Sequence, residues 1–493
     1  MPTARLEVPP CDSAAALALA DGLGVSFALA QVLVRRGLAD AAAAQAWLDA
    51  ADEHGTCDFP GLDEAVAVVL GHARAGTRIT IHGDYDADGV CSTAILVRAL
   101  RRLGADVDWY LPSRTEDGYG LNVATVERLH ARGTKLLVTA DCGITAIQEV
   151  ALARSLGMEV VVTDHHSPRA DGALPDAPLV HPAVRGYPCP DLCAGGVAYK
   201  LARALAEAAH GEGQPAAAGD ATGPHPLDDD LDLVALATVA DCVPLRGENR
   251  RLVRAGVEAL GRTRKPGLRA LLRVAKCDPS RVDARAIGFR LAPRINAAGR
   301  LHRADAALEL LLTEDDERAR QIAEELDRAN ADRRHTEQRI LFEAEAMVAE
   351  LGDRPAYVLW GEGWHPGVIG IVASRIAERH HRPAVLIALD GDQGTGSGRS
   401  IPAFDLLGGL DACAAHLLRH GGHRAAAGCT IARAELEAFR AAFEAHAAAV
   451  LAPEDLVPVE RVDAVVGGDD LGLALAEELA GLAPFGTANP TVS

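Results

Sequence analysis

The chain's 493 residues suffice for two or three domains, each with its own core, and with 49% hydrophobic but only 4% aromatic residues those cores must be built from Ala, Leu and Val. A formal net charge of −20 argues against a uniformly basic nucleic-acid binder, although a local basic groove remains open and carboxylates gathered around metal ions would push the sum the same way. The ten cysteines form no regular framework, Cys189 and Cys193 being the nearest pair, which excludes a disulfide scaffold or zinc finger and fits reduced thiols. The first residues carry no charged-then-apolar signal, and no apolar run approaches the roughly 18 residues of a membrane span. A soluble cytoplasmic protein without a membrane partner is expected.

In chain order, residues 1–75 read as Ala-rich helices with a loop near His54–Pro60. Short apolar runs then alternate with amphipathic segments. Strands are predicted at Ile79–His82, Val107–Leu111, Leu136–Thr139 and Val160–Thr163, and helices at Cys91–Leu103, Val123–Arg132 and Ala146–Leu156. This order implies a parallel sheet with helices on both faces. Residues 211–229, rich in Gly, Ala, Pro and Asp, read as a flexible insert, and Leu231–Ala240 as a helix ending at Asp241. From Glu314 to Leu351 the period stays helical without a Pro, which predicts one long connecting helix. A second α/β segment follows, with strands at Tyr357–Trp360 and Ala384–Leu389 and helices at Val368–Arg379 and Ala434–Ala449.

Four segments end in metal-capable side chains. The first is His82-Gly-Asp84-Tyr-Asp86-Ala-Asp88-Gly89, where alternation keeps His82 and the three carboxylates on one side for as long as the backbone stays extended. Such a cluster repels itself unless a cation offsets it. A calcium loop is excluded, because the position that should carry its Glu is Ile95. The second is a strand ending at Asp141, which would equally suit a helix N-cap. The third is Asp164-His165-His166 directly after four β-formers, and the fourth places Asp241 at a helix C-terminus, against the helix dipole. Ligands of open parallel sheets bind beyond the carboxyl ends of the strands, so one fold can gather all four. Histidine with carboxylate and no cysteine suits Mn²⁺ or Mg²⁺, and a pair of such ions suits in-line phosphoryl displacement.

On these four motifs, and on Gly421-Gly422-His423-Arg424-Ala-Ala-Ala-Gly428, the sequence resembles the DHH phosphoesterase superfamily from about Ala75 to Ala449. The resemblance implies two divalent ions, one held by His82, Asp86 and Asp141 and the other by Asp88, Asp141, His165 and Asp241. It sets Asp84 and His166 beside them or near the scissile phosphate, and His423 and Arg424 either on phosphate or at a helix cap. The implied fold is α/β and two-lobed, with a parallel-sheet DHH domain and a smaller DHH-associated α/β domain joined by a long helix, the active site in the cleft between them. The corresponding boundaries are a helical segment at 1–75, the DHH domain at 76–313, the connecting helix at 314–351 and the DHH-associated domain at 352–450.

Within the superfamily the segments around Arg114 and Tyr119, Arg294-Ile-Asn296-Ala-Ala-Gly299-Arg300, Gly396-Ser397-Gly398-Arg399 and Trp364-His365-Pro366-Gly367 look like those of the RecJ exonucleases. That likeness implies 5′→3′ hydrolysis of single-stranded DNA in recombination and repair. Single-strand-binding protein and a helicase are the implied protein partners. Arginine forks suit phosphate oxygens. Ser397 and Arg399 are therefore expected on the 5′-terminal phosphate, Arg114, Asn296 and Arg300 along the strand, and Tyr119 stacked on a base. A surface ion pair is the plain alternative for each Arg. Residues 451–493 are expected to be the start of a truncated or absent OB-like domain. The competing activity is hydrolysis of short oligonucleotides or cyclic dinucleotides; a DNA-binding scaffold without metals is disfavoured, because every ligand position is filled.

Overall fold

The computed structural model describes residues 4–113, 120–211, 227–301 and 305–493, without the side chains of 210, 211, 300 and 301. The chain forms two compact units. One takes in Cys11–Ala329 with Ala464–Val492, the other Met1–Pro10 with Asn330–Asp463 and Ser493.

After a short strand β1 (Arg5–Glu7), which belongs to the smaller unit, the larger unit opens with α1 (Ser13–Leu23), α2 (Phe27–Arg35), α3 (Ala41–Asp49) and α4 (Leu62–Ala75). Asp12, Ser26 and Asp40 cap the first three by accepting backbone N–H groups, which sets where each helix begins. The sheet comprises β2 (Ile79–His82), β3 (Val107–Tyr110), β4 (Leu136–Thr139), β5 (Glu159–Thr163) and β6 (Leu179–Val180). Its order is β3-β2-β4-β5-β6 and every pairing is parallel. Because helices cover both faces, β2 and β4 are buried along their whole length, and their runs of apolar residues follow from that.

Helix α5 (Ala87–Arg102) follows β2, α6 (Val123–Ala131) follows β3, and α7 (Ile147–Ser155) follows β4. Helix α5 packs against α8 (Ala194–Gly211) and α9 (Leu231–Ala240). Beyond these come α10 (Gly247–Gly261), α11 (Pro266–Val274) and one continuous helical run of α12 (Ala284–Ala286), a π turn at Ile287–Leu291 and α13 (Ala292–Leu301), then α14 (Asp305–Leu312). Helix α15 (Asp316–Leu351) is unbroken and joins the two units, passing from one to the other after Ala329. Most of the expected insert lies outside the described residues.

In the smaller unit β7 (Tyr357–Glu362) leads through α16 (Pro366–His380) to β8 (Ala384–Asp390), which pairs with it in parallel. Three further strands are antiparallel: β9 (Gln393–Arg399), β10 (Arg419–Gly422) and β11 (Ala426–Ala432), giving the order β10-β11-β9-β8-β7. Between β9 and β10 lies α17 (Leu406–Ala412), and α18 (Leu436–Val450) packs Phe439 and Phe443 into the core with Phe404. Strand β12 (Val459–Arg461) pairs in parallel with β1.

Within 451–493, where a truncated or absent OB-like domain is expected, the one strand is β12, and α19 (Leu473–Ala480) follows. Leu479, Leu482 and Phe485 instead join Leu19, Leu29 and Leu33 in the core of the N-terminal helices. Arg250 donates to the Leu482 carbonyl, fixing the segment in place. All ten cysteines are free, and no described helix is long and apolar enough to cross a membrane.

Candidate metal centre

Motif one does not stay extended. Strand β2 ends at His82, and Asp86 already caps α5, its Oδ1 accepting the N–H groups of Asp88 (3.0 Å) and Gly89 (3.1 Å). Gly89 is obligatory, since a Cβ there would lie 2.6 Å from the Asp84 nitrogen. Asp88 therefore sits in the first helical turn, where its carboxylate accepts N–H groups of Ala194 (2.9 Å) and Gly195 (2.7 Å) at the start of α8. The simple alternation of His82, Asp84, Asp86 and Asp88 thus ends at Asp86.

The carboxyl ends of β4 and β5 supply the next groups. Asp141 adopts a left-handed backbone (φ 68°), which Asp tolerates better than most residues. Its N–H donates to the Thr163 carbonyl at 3.2 Å, tying the two strand ends together. Asp164 organises both histidines: its Oδ1 accepts the N–H of His165 (2.8 Å), the N–H of His166 (3.1 Å) and His166 Nδ1 (2.8 Å), while Oδ2 accepts Ile144 N–H at 2.9 Å. Asp241 ends α9, as expected.

These groups converge. His165 Nε2 lies 3.3 Å from Asp141 Oδ1, 3.5 Å from Asp241 Oδ2 and 3.6 Å from Asp88 Oδ2. Donor atoms lie within 4.8 Å of one another in three groups: Asp88 with His165 and Asp241, Asp84 with Asp86 and Asp141, and Asp141 with His165 and His166. Asp141 thus links the second group to the third, and His165 the third to the first. His82 is buried with its Nδ1 3.5 Å from Cys142 Sγ, and Asp84 rather than His82 shares the group with Asp86.

The electrostatics match a cation site. Burial, then the charges of Asp241 and Asp86, push Asp88 well above the usual carboxylate range. Burial and the neighbouring Asp88, Asp86 and Asp84 do the same to Asp141, and burial with Asp86 lifts Asp241 to about 7. Burial and the charge of His166 lower His165 to about 4, leaving a neutral imidazole able to ligate. Burial opposes the charged form of His166, yet the Asp164 bond and surrounding carboxylates raise it to about 9. Asp141 Oδ1 and His165 Nε2 are buried and take part in no hydrogen bond among the described residues. Buried polar atoms rarely stay so, and an oxygen-rich set with imidazole fits Mn²⁺ or Mg²⁺.

Family comparisons agree with this geometry. The DHH family, N-terminal domain, matches residues 78–238 and the DHHA1 domain matches 347–449. The single-stranded-DNA-specific exonuclease RecJ of Bacillus subtilis (strain 168) is 38% identical over an alignment taking in 99% of this chain and 60% of its own length. That of Salmonella typhimurium (strain LT2) is 40% identical, with 87% of this chain and 76% of the relative covered. The crystal structure of RecJ in complex with Mn²⁺ from Thermus thermophilus superposes with a TM-score of 0.85 at 35% identity, covering 99% of this chain and 68% of that one.

The chain belongs to the RecJ family. It spans 60% of the length of the first of these relatives and 76% of the second.

The remaining residues expected from the RecJ likeness fare differently. Arg114 and Tyr119, and the side chain of Arg300, lie outside the described residues. Asn296 is described: its Oδ1 accepts the Ala87 N–H at 2.7 Å, so α13 holds the start of α5 and with it the Asp86–Asp88 loop. Ser397 and Arg399 do come together on β9, with Arg399 Nη1 3.5 Å from Ser397 Oγ and 2.8 Å from the Gly398 carbonyl it donates to. Gly370 of α16 faces them, since a Cβ there would lie 2.8 Å from Ser397 Oγ. His423 and Arg424 are exposed at the turn between β10 and β11; Arg424 serves the start of α17, its carbonyl accepting the Leu406 N–H at 2.9 Å and its guanidinium lying 4.0 Å from the N-cap Asp405, and it donates to the Pro402 carbonyl at 3.3 Å. The role of Asp164 was missed, although its place ahead of two histidines was the available signal.

Proposed function

We propose that this chain is a metal-dependent exonuclease that degrades single-stranded DNA from the 5′ end, releases 5′-mononucleotides and serves DNA recombination and repair. The observation that carries this reading is the convergence of Asp88, Asp141 and Asp241 on His165 Nε2 within 3.6 Å. His82, Asp86 and Asp141, with Asp84 beside Asp86 and Asp141, would hold one ion, and Asp88, Asp141, His165 and Asp241 the other. Bound there, Mn²⁺ or Mg²⁺ supplies Lewis acidity towards the phosphodiester and makes water nucleophilic near neutral pH.

The protein groups do the rest. His166, protonated through its bond to Asp164, presents a cation to a phosphate oxygen at the edge of the cluster. Asp84 adds negative charge that draws the ions in. Ser397 and Arg399 suit a terminal 5′-phosphate, and the exposed side chain of His423 suits a further phosphate contact, with Arg424 beside it at the start of α17. A nonspecific single strand is the partner; single-strand-binding protein and a helicase follow from family likeness. The free cysteines support a cytoplasmic setting.

The test uses long 5′-phosphorylated strands labelled at either end, incubated with Mn²⁺ or Mg²⁺. The 5′ label should appear first, as a mononucleotide. Loss of the 3′ label first, or cleavage of dinucleotides alone, overturns the reading.

A further inference from the structure

In a chain of net charge −20, residues 262–294 carry ten Lys and Arg against two Asp. Both acids are occupied locally: Asp278 accepts from the N–H and hydroxyl of Ser280, and Asp283 caps Ala286. The cations Arg273, Lys276, Arg281 and Arg285 are exposed and form no ion pair among the described residues. Among them stands Phe289, 79% exposed, on the π turn that interrupts the helical run from Ala284 to Leu301. A π turn inside a helix is often kept for function, because it re-aims side chains at a cost in backbone geometry.

The fold brings Lys276 and Arg285 towards this ring. Arg290, next to Phe289, donates to the carbonyls of Ala275 and Lys276, which joins the end of α11 to the π turn. Arg285 precedes Phe289 by four residues in the same run and so shares its side of the helix. Seven residues beyond Phe289 comes Asn296, which holds the Ala87 N–H of the metal-binding loop; the helical rise puts the two about 10 Å apart along the axis. An exposed ring amid unpaired cations is costly as bare surface but matches a polyanion whose units carry flat apolar faces. The run of the helix places that match beside the proposed metal centre.

We propose that Phe289 and the surrounding cations form a stacking platform for single-stranded DNA, gripping the substrate one or more nucleotides away from the bond that is cut. The platform rests on the exonuclease reading and extends it: a base stacks on Phe289 while Lys276, Arg281 and Arg285 face successive phosphates. No base-edge contact is involved, so the grip is indifferent to sequence.

The test measures binding of fluorescein-labelled oligo-dT of roughly 40 nucleotides to the full chain in EDTA, and Mn²⁺-dependent hydrolysis of oligo-dT of roughly 6 nucleotides. Phe289→Ala should weaken binding of the long strand about tenfold and Phe289→Trp should retain it; on the short strand Phe289→Ala should raise KM and leave kcat at saturating strand unchanged. Lys276→Ala with Arg285→Ala should lower the salt slope of binding by about 0.7 for each phosphate that is no longer neutralised. Because Phe289 is exposed, the melting temperature should not move. If the parent chain cleaves the short strand but Phe289→Ala binds the long one as tightly, the platform is wrong and the exonuclease reading stands. If the parent cleaves no strand, that reading fails and takes the platform with it. A defect confined to oligo-rU overturns the assignment to DNA.

Discussion

In the larger unit the sheet is all parallel and most of its buried positions are Val, Leu and Ile; in the smaller unit the sheet is mixed, and its central strand β9 buries Gly394, Gly396 and Gly398. Side chains from neighbouring elements fill the space the glycines leave, Ile387 and Cys429 among them. The two sheets also carry polar side chains differently. The parallel sheet keeps its faces apolar and places carboxylates and imidazoles beyond its strand ends. Strand β9 has glycine on its core face, so its opposite face is free for Thr395, Ser397 and Arg399. A site at strand ends gathers residues from far apart in the chain, as a metal pair requires. A site on one strand's face offers a short row of donors, as a terminal phosphate requires.

The sharpest way to break this comparison is to remove the charge that links the first site's donor groups. Asp141→Asn retains a side chain that tolerates the left-handed backbone, so the fold should survive. Activity should fall about a thousandfold or more, the scale of several kcal/mol of lost charge stabilisation, with Mn²⁺ binding by calorimetry greatly weakened. Wild-type metal stoichiometry in this variant would show that the strand-end cluster is not the metal site. Asp164→Asn acts one step back, removing the charged acceptor that orients His165 and His166. A fall of about 10- to 100-fold in Mn²⁺ affinity is expected, as for groups that orient ligands. The same substitution should lower the pKa of His166 from about 9, visible as an NMR titration of its ring.

What could be read from the sequence follows the same division. Strands β2 and β4 coincide with their expected spans because a doubly covered strand must be apolar throughout, a local signature. Asp141 and His165 stood out because each lies two residues past such a strand, and Asp241 because it ends an apolar helix. Asp88 joins the cluster by another path than strand alternation: α5 begins at Ala87, and the start of α8, more than a hundred residues on, orients its carboxylate. Strands β9, β10 and β11 were not foreseen, since Gly-Thr-Gly-Ser-Gly-Arg and Arg-His-Gly-Gly carry no apolar alternation and their partners' side chains supply the core. The Oδ1 of Asn296 holds the Ala87 N–H, a contact that only the folded chain reveals.

The glycine strand has its own stability test. A Cβ at Gly396 would collide with Cys429 Sγ and come within 3.4 Å of Ile387. Gly396→Val should therefore destabilise the smaller unit by about 1–3 kcal/mol, the usual cost of overpacking, with Mn²⁺ binding to the larger unit's cluster unchanged. Denaturant unfolding monitored alongside metal binding separates the two, and an undiminished midpoint would mean that the glycines are not there for packing.

The smallest effect belongs to the strand face itself. Arg399 is anchored by its bond to the Gly398 carbonyl beside Ser397, so its guanidinium is held in place. A charge-assisted hydrogen bond is worth about 1.5–3 kcal/mol, so Arg399→Gln should cost about tenfold or somewhat more in kcat/KM on a 5′-phosphorylated strand. A strand with a 5′-hydroxyl has no terminal phosphate to lose, and its kcat/KM should hardly change. Equal losses on both strands would mean that Arg399 serves the fold or the sugar-phosphate backbone generally. The strand face would then be a general track, and the contrast drawn between the two sheets would hold for packing but not for recognition.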